Sequence, residues 1–367
     1  MSTYGKNINK TNVNKKVLVA PLDWGLGHAT RCVPLIRSLL AEGFDVLPAA
    51  DETGALLLQK EFPALTVLPL RGYNIRYSKY KRLFFFKMLL QVPKILAAIR
   101  HERKWLKTII GQHAIDIVIS DNRFGLRNKK AHCIFMTHQL FIKTGNRFTE
   151  KIAQKINYRY INRFDECWVP DEPGQGNLAG ELSHPATFPR IPVTYIGPLS
   201  RFRKLPADHK TGLLVILSGP EPQRTFFENI LLAQLRSLQE KVVLVRGLPG
   251  APPEVGVRAD NVTVINHLPA SELNELICSA KTVIARSGYS SVMDLAMLQQ
   301  QAILIPTPGQ AEQEYLAKYL SGKKYCIIQD QDGFDLQKAL HDLNRDVLVP
   351  FPERGRDLLQ EAIMTLR

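Results

Sequence analysis

The chain has 367 residues, more than one hydrophobic core usually serves, so two domains are expected. Its composition, with 45% hydrophobic and 22% charged residues, excludes a disordered or fibrous protein. Lys and Arg together number 48 against 34 Asp and Glu, and the net charge of +14 indicates an anionic partner such as nucleic acid, an acidic membrane or a phosphorylated substrate.

Three features of the sequence favour a cytoplasmic protein. The five cysteines are scattered and form no C-x-x-C pair, as expected in a reducing compartment. Residues 1–16 are polar and rich in Asn and Lys, so we predict a disordered basic tail rather than a secretory signal. The most apolar run, residues 83–92, is interrupted by Lys87 and Gln91, which argues against a transmembrane helix.

From residue 17 onward, short apolar runs alternate with amphipathic segments, a pattern typical of α/β domains with parallel sheets. The first half is predicted to contain strands at 17–20, 45–49, 65–68, 115–120, 133–136 and 166–169, and helices at 29–42, 54–61, 83–108 and 147–161. A Pro-rich segment, residues 171–210, is predicted to link two domains. The strands predicted after it lie at 213–217, 242–245, 262–265, 282–285, 302–305 and 325–328, with helices between them.

We therefore predict an α/β protein with two doubly wound, Rossmann-like domains that face each other across a cleft. The N-terminal domain spans residues 17–170 and the second domain 211–350. Residues 351–367 form a C-terminal helix that could return to the first domain. In such sheets ligands bind beyond the carboxyl ends of the strands, so the motifs of interest are those that follow strands.

The first such motif is a glycine-rich turn after the first strand. Gly25 and Gly27 begin a G-x-G-x-x-G pattern, but Thr30 occupies the position of the third glycine. His28 lies at the predicted helix start, where the helix dipole favours a neutral imidazole that can act as a general base. Asp23 is placed to orient it. The structural alternative is a histidine that only packs or caps at the helix start.

A second candidate base is Asp121, which ends a strand and is followed by Asn122. Its structural alternative is an Asx turn. The one Asp-x-Asp spacing, Asp330 and Asp332, has the composition of a solvated turn rather than of a metal site. We therefore expect neither a metal nor another cofactor, and we expect helix N-termini and cations to stabilise any anionic group.

Three motifs resemble those of GT-B glycosyltransferases, above all the MurG family of UDP-N-acetylglucosamine transferases and its diacylglycerol-glycosylating relatives. The first is the turn that ends in Gly27-His28, and the second is His138-Gln139 after a predicted strand. The third combines Arg286-Ser287-Gly288 with the Gln-containing segment 305–315. The sequence departs from the family in the loop that begins at Ser218, which has Gly-Pro-Glu where the family has a Gly-Ser-Gln loop.

The resemblance implies a GT-B fold and an inverting, metal-independent transfer from a UDP-sugar, UDP-N-acetylglucosamine or a related hexose donor, to a lipid-linked or membrane acceptor. The donor is expected in the second domain, where the candidate residues are Ser218, Gly219, Arg224, His267, Leu268, Arg286, Ser287, Gly288, Asp294, Gln310 and Gln313. The acceptor candidates are Gly25, Gly27, Asn122, His138 and Gln139.

Asp294 has both a functional and a structural interpretation. A carboxylate can accept two hydroxyl hydrogens at once, which suits a ribose diol. The run from Ser291 to Asp294 also has the spacing of a capping box, in which the acidic side chain would only cap its own helix.

Residues 73–107 combine many cations with aromatic and aliphatic side chains, and only Glu102 opposes the charge. Such a segment suits partial burial at an anionic bilayer. The predicted membrane patch consists of Arg82, Phe84, Phe85, Phe86, Lys87 and Lys94. We therefore expect a peripheral protein on the inner face of the cytoplasmic membrane, with no nucleic-acid partner; the alternative is an ordinary core helix with a solvated cationic side.

Two other functions stay open at this point. One is a catalytically inactive, membrane-associated subunit that only binds a nucleotide sugar or serves as a scaffold. The other is an NAD-linked oxidoreductase, for which Asp51 would bind ribose, although the third glycine of the dinucleotide motif is missing.

Overall fold

A computed structural model describes residues 15–73, 84–206, 212–219, 221–248, 251–252, 255–353 and 355–367. Within these residues the chain forms two sheets of seven strands each, which confirms the predicted fold class. The strands are near-continuous apolar runs, as parallel strands covered on both faces require. In β1, for example, Val17, Leu18 and Val19 are all completely buried.

The first sheet has the strand order β3-β2-β1-β4-β5-β6-β7, and all its pairings are parallel. Its strands are β1 Lys16–Ala20, β2 Asp45–Ala50, β3 Leu68–Pro69, β4 Ile117–Asp121, β5 His132–Met136, β6 Glu166–Val169 and β7 Val193–Tyr195. Its helices are α1 Leu26–Ala41, α2 Glu52–Glu61, α3 Phe84–His113 and α4 Arg147–Ile161.

The second sheet has the order β10-β11-β9-β8-β12-β13-β14, and only β10 is antiparallel. Its strands are β8 Leu213–Ile216, β9 Val242–Val245, β10 Val255–Ala259, β11 Val262–Ile265, β12 Thr282–Ala285, β13 Ala302–Leu304 and β14 Ile327–Ile328. The helices are α5 Gln223–Leu235, α6 Ala270–Ser279, α7 Tyr289–Leu298, α8 Ala311–Gly322, α9 Leu336–Arg345 and α10 Leu358–Met364.

The strand order reverses between β1 and β4 in the first sheet and between β8 and β12 in the second. These reversals open crevices at the carboxyl ends of the strands, where ligands of doubly wound domains bind. The motifs that follow β1, β4, β8 and β12 therefore meet at the cleft between the domains.

Several element boundaries differ from those predicted. Helix α1 begins at Leu26 rather than at residue 29, because Gly25 has φ 79° and ψ 173°, a conformation that glycine adopts readily and that ends the preceding turn. Gly27 and His28 thus lie in the first turn of the helix. Strand β7 lies in the segment predicted as a linker and extends the first sheet, since it pairs with β6. Strand β10 was not predicted.

Within the described ranges, the chain crosses between the domains twice. The first crossing follows β7 and leads to β8, and the second joins α9 to α10, which packs against α1 of the first domain. Lys15 Nζ donates to Leu366 O at 3.0 Å, so the final helix is also held at its end. The two crossings run close together, since Pro198 and Lys204 of the first and Pro352 and Glu353 of the second line one cavity of about 270 Å³.

Candidate active site

A buried carboxylate at the end of β4 organises the N-terminal side of the cleft. Asp121 is fully buried, and its Oδ2 lies 2.9 Å from His28 Nδ1 and 2.9 Å from Arg31 Nε. Arg31 also bonds the other carboxylate oxygen. His28 and Arg31 are three residues apart on α1, so both face β4. Asp121 is thereby held between an imidazole and a guanidinium.

The charges around Asp121 make it an orienting group rather than a base. Burial alone would raise the pKa of Asp121, but the Arg31 and His28 contacts outweigh it and lower the pKa to about 2. A carboxylate this acidic is a weak base near neutral pH. Asp23, which was expected to orient His28, instead accepts the Tyr73 backbone N–H at 2.8 Å, and Asp121 makes the contact with the imidazole.

His28 keeps the properties of a neutral imidazole. Burial lowers its pKa, Arg31 lowers it further, and Asp121 only partly opposes both effects. Nδ1 lies 2.9 Å from Asp121 Oδ2 and 2.8 Å from Arg31 Nη2, which can only donate. The tautomer with its proton on Nδ1 donates to Asp121 and leaves the Nε2 lone pair to accept a proton from a substrate hydroxyl, whereas the tautomer that accepts from Arg31 carries its proton on Nε2. The side chain is 14% exposed, enough to reach a ligand in the cleft.

The second histidine connects the two domains. His138, in the loop after β5, receives a hydrogen bond at Nδ1 from Arg31 Nη1 at 3.1 Å. Arginine can only donate, so the His138 proton lies on Nε2, which donates to Glu312 Oε1 at 2.7 Å. Gln139 Nε2 donates to the other oxygen of Glu312. Since Glu312 belongs to α8, the acceptor-side loop is tied to the donor-side domain.

Other contacts reinforce this junction at the start of α7. The ring of Tyr289 stacks on His138 with centroids 4.2 Å apart, and its hydroxyl donates to Pro170 O at 2.8 Å. Ser290 Oγ donates to Gly27 O at 3.1 Å. The structure thus brings Gly27, His28 and His138 together. Asn122 also lies here, at φ 56°, and its N–H donates to Met136 O.

The donor side of the cleft contains two helix N-termini that have no side-chain cap. Helices α7 and α8 begin after Gly288 and Gln310, and neither residue makes a capping hydrogen bond through its side chain. Helix α5 differs, because the Glu221 carboxylate accepts the Thr225 N–H of its first turn at 3.3 Å. Uncapped N–H groups together with the helix dipole favour an anionic ligand. The predicted residues Ser287 and Gly288 lie at one of these helix starts.

The loop after β8 lies beside a buried polar atom with no partner. A Cβ on Gly219 would lie 3.8 Å from Thr307 Oγ1, and the φ of Gly219 is 99°, which favours glycine there. The Thr307 side chain is 2% exposed, and its hydroxyl makes no hydrogen bond among the described residues. A buried hydroxyl without a hydrogen-bond partner is suited to bind a ligand that reaches the loop beginning at Ser218.

Arg286 is buried and contacts carbonyl groups instead of a carboxylate. Its Nη2 donates to Gln331 Oε1 at 2.6 Å and to Gln223 O at 3.1 Å, and its guanidinium lies 4.3 Å from the Phe227 ring centroid. Burial lowers the pKa of Arg286 to about 10, so it remains charged near neutral pH. A buried cation of this kind adds positive potential to the loop that begins at Ser287.

Arg224 is placed differently from what the sequence suggested. It lies in the first turn of α5, but Glu221 and Glu228 both bond its guanidinium, the second at 2.8 Å. Two carboxylates on one guanidinium give it a structural role in holding the α5 start. Contact with a phosphate would require the exposed Glu221 side chain to move away.

Asp294 faces the first interdomain crossing. Its Oδ1 accepts Ser200 Oγ at 2.5 Å, and burial raises its pKa to about 7, against the effects of that hydrogen bond and of Arg201. The capping-box interpretation is wrong, because α7 begins at Tyr289 after Gly288 and not after Ser291. The carboxylate is therefore not an N-terminal cap.

The remaining donor candidates lie on the same side of the cleft. Gln313 Oε1 accepts Thr307 N–H at 2.9 Å, and its Nε2 donates to Gln310 Oε1 at 2.6 Å. His267 is half-buried, and burial together with Lys60 and Arg201 lowers its pKa. Leu268 is buried. Neither glutamine caps α8 through its side chain. Their amide groups instead hold the loop that precedes this helix.

The sequence missed two charged residues at the centre of the site. Arg31 is 2% exposed on the buried face of α1, and a charge at a core position of an amphipathic helix is a usable signal. Glu312 lies in the first turn of α8, where an acidic residue is ordinarily explained by the helix dipole. The contact of Glu312 with His138 depends on the domain arrangement, so no local pattern reveals it.

Much of the predicted membrane patch lies outside the described part of the chain. This holds for Arg82 and for the side chains of Phe84, Phe85, Phe86 and Lys87. Lys94 is exposed on α3, near Leu90 and Val92, which are 82% and 43% exposed. None of the described helices is both long enough and apolar enough to cross a bilayer.

In the structure a helix-capping role accounts for Asp51, the ribose ligand of the oxidoreductase alternative. Asp51 is the N-cap of α2, and its carboxylate accepts the Gly54 N–H at 3.2 Å. Thr30, at the third glycine position, donates its hydroxyl to Gly27 O. Among the described residues, no group of three or more His, Cys, Asp or Glu side chains could hold a metal ion.

Comparison with known proteins identifies the kind of enzyme. Residues 227–361 match the glycosyltransferase family 28 C-terminal domain. An uncharacterized glycosyltransferase of Methanosarcina acetivorans is 22% identical over 84% of each chain. The UDP-N-acetylglucosamine–N-acetylmuramyl-(pentapeptide) pyrophosphoryl-undecaprenol N-acetylglucosamine transferase of Histophilus somni is 23% identical over 94% of each chain.

Solved structures show the same fold. The glycotransferase of kitacinnamycin aligns with a TM-score of 0.63 at 16% identity, over 96% of this chain and 94% of that one. MurG of Acinetobacter baumannii aligns with a TM-score of 0.51 at 14% identity, over 95% and 93%. Spinosyn rhamnosyltransferase SpnG, complexed with thymidine diphosphate, aligns with a TM-score of 0.59 at 13% identity, over 96% and 95%.

Proposed function

We propose that this chain, a glycosyltransferase of the GT-B fold that resembles MurG, transfers a hexose from a UDP-sugar to a lipid-linked hydroxyl acceptor with inversion at the anomeric carbon. N-acetylglucosamine is the favoured hexose, because that is the sugar named for the Histophilus somni relative. The observation that carries the proposal is the Asp121–His28 pair, which faces helix N-termini without side-chain caps across one cleft.

In the proposed reaction His28 Nε2 takes the proton of the acceptor hydroxyl. The oxygen attacks the anomeric carbon from the face opposite the diphosphate, and the bond between that carbon and the diphosphate oxygen breaks. Asp121 holds the imidazole and stabilises the imidazolium that forms. The negative charge on the leaving UDP is met by the N–H groups that begin α7 and α8 and by the field of Arg286, without a metal.

The test uses the purified chain with a panel of UDP-sugars. The correct donor should raise the melting temperature and be slowly hydrolysed, and lipid extracts should then give a glycosylated product of inverted configuration by NMR, with EDTA present throughout. A retained configuration or a requirement for a divalent cation would contradict the mechanism. Binding of UDP-sugars without hydrolysis or transfer would instead support an inactive nucleotide-sugar-binding subunit.

We also propose that the protein acts at the cytoplasmic face of the membrane through the basic, aromatic segment 73–107. Replacing Arg82, Lys87 and Lys94 with Glu should reduce sedimentation with anionic vesicles, and added salt should weaken binding of the wild type. Charge reversal at the exposed Lys241, Lys318 and Lys338 of the second domain is the matched control. A wild type that does not sediment at low salt would point to a soluble acceptor.

A further inference from the structure

Three arginines meet in the first domain, near the place where helices α3 and α4 pack together. Arg103 lies on α3, Arg127 lies in the loop between β4 and β5, and Arg163 follows the end of α4. Arg127 Nη1 lies 3.5 Å from Arg163 O. The pKa of Arg127 is lowered by burial and then by repulsion from Arg103 and Arg163, so both guanidinium groups lie close to that of Arg127. We call the three residues the arginine cluster.

No acidic side chain balances this charge. In the part of the chain that the structure describes, none of the three arginines forms an ion pair, and the groups that shift the pKa of Arg127 include no carboxylate. The acidic residues close in sequence to the cluster have other partners. Glu102 pairs with Arg123 at 3.0 Å, Asp165 accepts the Cys133 N–H at 2.7 Å, and the carboxylate that follows Asp165 bonds a histidine of β5. The cluster therefore lacks a counter-charge from these residues.

Two N–H donors of the cluster are buried and unused. Arg103 Nε and Arg127 Nε are shielded from solvent and have no hydrogen-bond partner among the described residues. Buried N–H groups in proteins are nearly always paired, and an exception is often explained by a water or an ion that binds there. All three side chains are nevertheless partly exposed, so a small ligand can reach them. Unused donors on a cation call for an anionic acceptor.

The surroundings of the cluster favour a small anion over a flat charged surface. Lys107 follows on the next turn of α3, and Lys129 and Lys130 are exposed in the same loop as Arg127, so the local potential is positive. The Arg163 guanidinium lies 4.9 Å from the Tyr160 ring centroid, a contact that holds its plane. A bilayer would contact side chains that project into solvent, whereas a single oxyanion can reach the two buried Nε atoms.

We propose that the arginine cluster binds a phosphate group, supplied by inorganic phosphate or by a soluble phosphate monoester. The planar fork of a guanidinium matches two phosphate oxygens, and a dianion would remove the repulsion among the three cations. The bound group would join α3, the loop that follows Asp121 and the segment after α4. The cluster contains none of the residues assigned to the cleft, so the inference does not depend on the proposed transfer reaction.

The test measures binding of inorganic phosphate and of glycerol 3-phosphate to the full chain, by calorimetry and by thermal unfolding against chloride of equal ionic strength. The variants are Arg127→Gln and Arg127→Lys, with Arg103→Gln in reserve if the first does not fold. The control is Arg236→Gln, which removes an exposed arginine at the end of α5 in the second domain. Each variant should bind the tighter probe at least about tenfold more weakly than the wild type, because a charge-assisted fork is lost, while the control binds like the wild type.

Phosphate salts also stabilise folded proteins in general, so only the difference between wild type and variant counts in thermal unfolding. Tighter binding of glycerol 3-phosphate than of inorganic phosphate would identify a monoester as the ligand, and the reverse order would identify free phosphate. Equal phosphate binding by wild type and Arg127→Gln would overturn the proposal. So would loss of wild-type phosphate binding in saturating UDP, which would place the anion in the donor cleft. Failure of both soluble probes to bind would also overturn it, including the case in which Arg127→Gln weakens binding to anionic vesicles instead.

Discussion

At the scale of single residues, the site depends on which nitrogen of His28 is free. Replacing His28 with Ala should lower kcat about 100-fold or more, the usual contribution of a general base, and leave UDP affinity nearly unchanged. Because burial and Arg31 lower the pKa of His28, wild-type kcat at saturating donor should hold down to pH values below 6.5 and fall only under the lowered pKa. Stopped assays across pH decide this. Near wild-type turnover of the Ala variant would make His28 structural.

Asp294 is the other residue whose protonation matters near neutral pH. Its folded pKa of about 7 exceeds the ordinary 3.8, so the protonated form favours folding, and that contribution is lost as pH rises towards 7. Asp294→Asn should therefore gain thermal stability relative to wild type between pH 5 and pH 8.

The same change should weaken UDP binding at pH 8 by about 1–3 kcal/mol, measured by calorimetry. If wild type and Asp294→Asn bound UDP equally well at pH 8, Asp294 would not be a donor-binding residue.

At the scale of elements, α8 and the loop after β5 act as one unit through Glu312. Burial alone would raise the pKa of Glu312, but His138, His28 and Arg31 lower it, so the side chain is ionised and accepts from both His138 and Gln139. Glu312→Ala should raise the acceptor KM and lower kcat/KM about 10-fold or more, with donor hydrolysis less affected, because the loop loses two charge-assisted bonds. Glu181→Ala, which removes a 64% exposed carboxylate paired with Lys143, should behave like wild type. If Glu312→Ala lowered donor hydrolysis as much as transfer, the proposed role of Glu312 in holding the acceptor-side loop would be refuted.

The elements also show what a sequence can and cannot predict. Strand and helix positions followed from apolar runs and periodicity, and helix α4 was predicted with its observed bounds, Arg147–Ile161. The predicted helix began at residue 29, after the Gly27-His28 pair, whereas α1 begins at Leu26, directly after Gly25. Strand β7 was missed because it is short and half-buried, and its place comes from pairing with β6. His28 and Asp121 could be chosen from motif and position, but their contact requires the β1–β4 pairing that brings them together.

At the scale of the whole molecule, the two domains touch where glycine leaves room. A Cβ on Gly27 would lie 2.7 Å from Ser290 Oγ and 3.3 Å from Ser290 Cβ, so the Ser290 hydroxyl would have to turn away from Gly27 O and α7 to shift slightly from α1. Gly27→Ala should therefore reduce transfer by forcing the cleft apart, even though Ala is intrinsically better in a helix by about 1 kcal/mol and should not lower the melting temperature of the N-terminal domain. Adding Ser290→Gly should restore much of the rate. If the double variant is no faster than Gly27→Ala, the loss has another cause.

The paired crossings of the chain limit how the domains can move. Because both line the same small cavity, we expect them to act together as a hinge and to favour a rotation of the domains about that place. In such a rotation residues far from the hinge would travel furthest, and the contact of Glu312 with His138 would mark the closed end of the movement. A label on α8 and another on α4 would report the whole motion as one distance, and severing residues 346–357 would remove the second pivot and leave both sheets intact but misaligned.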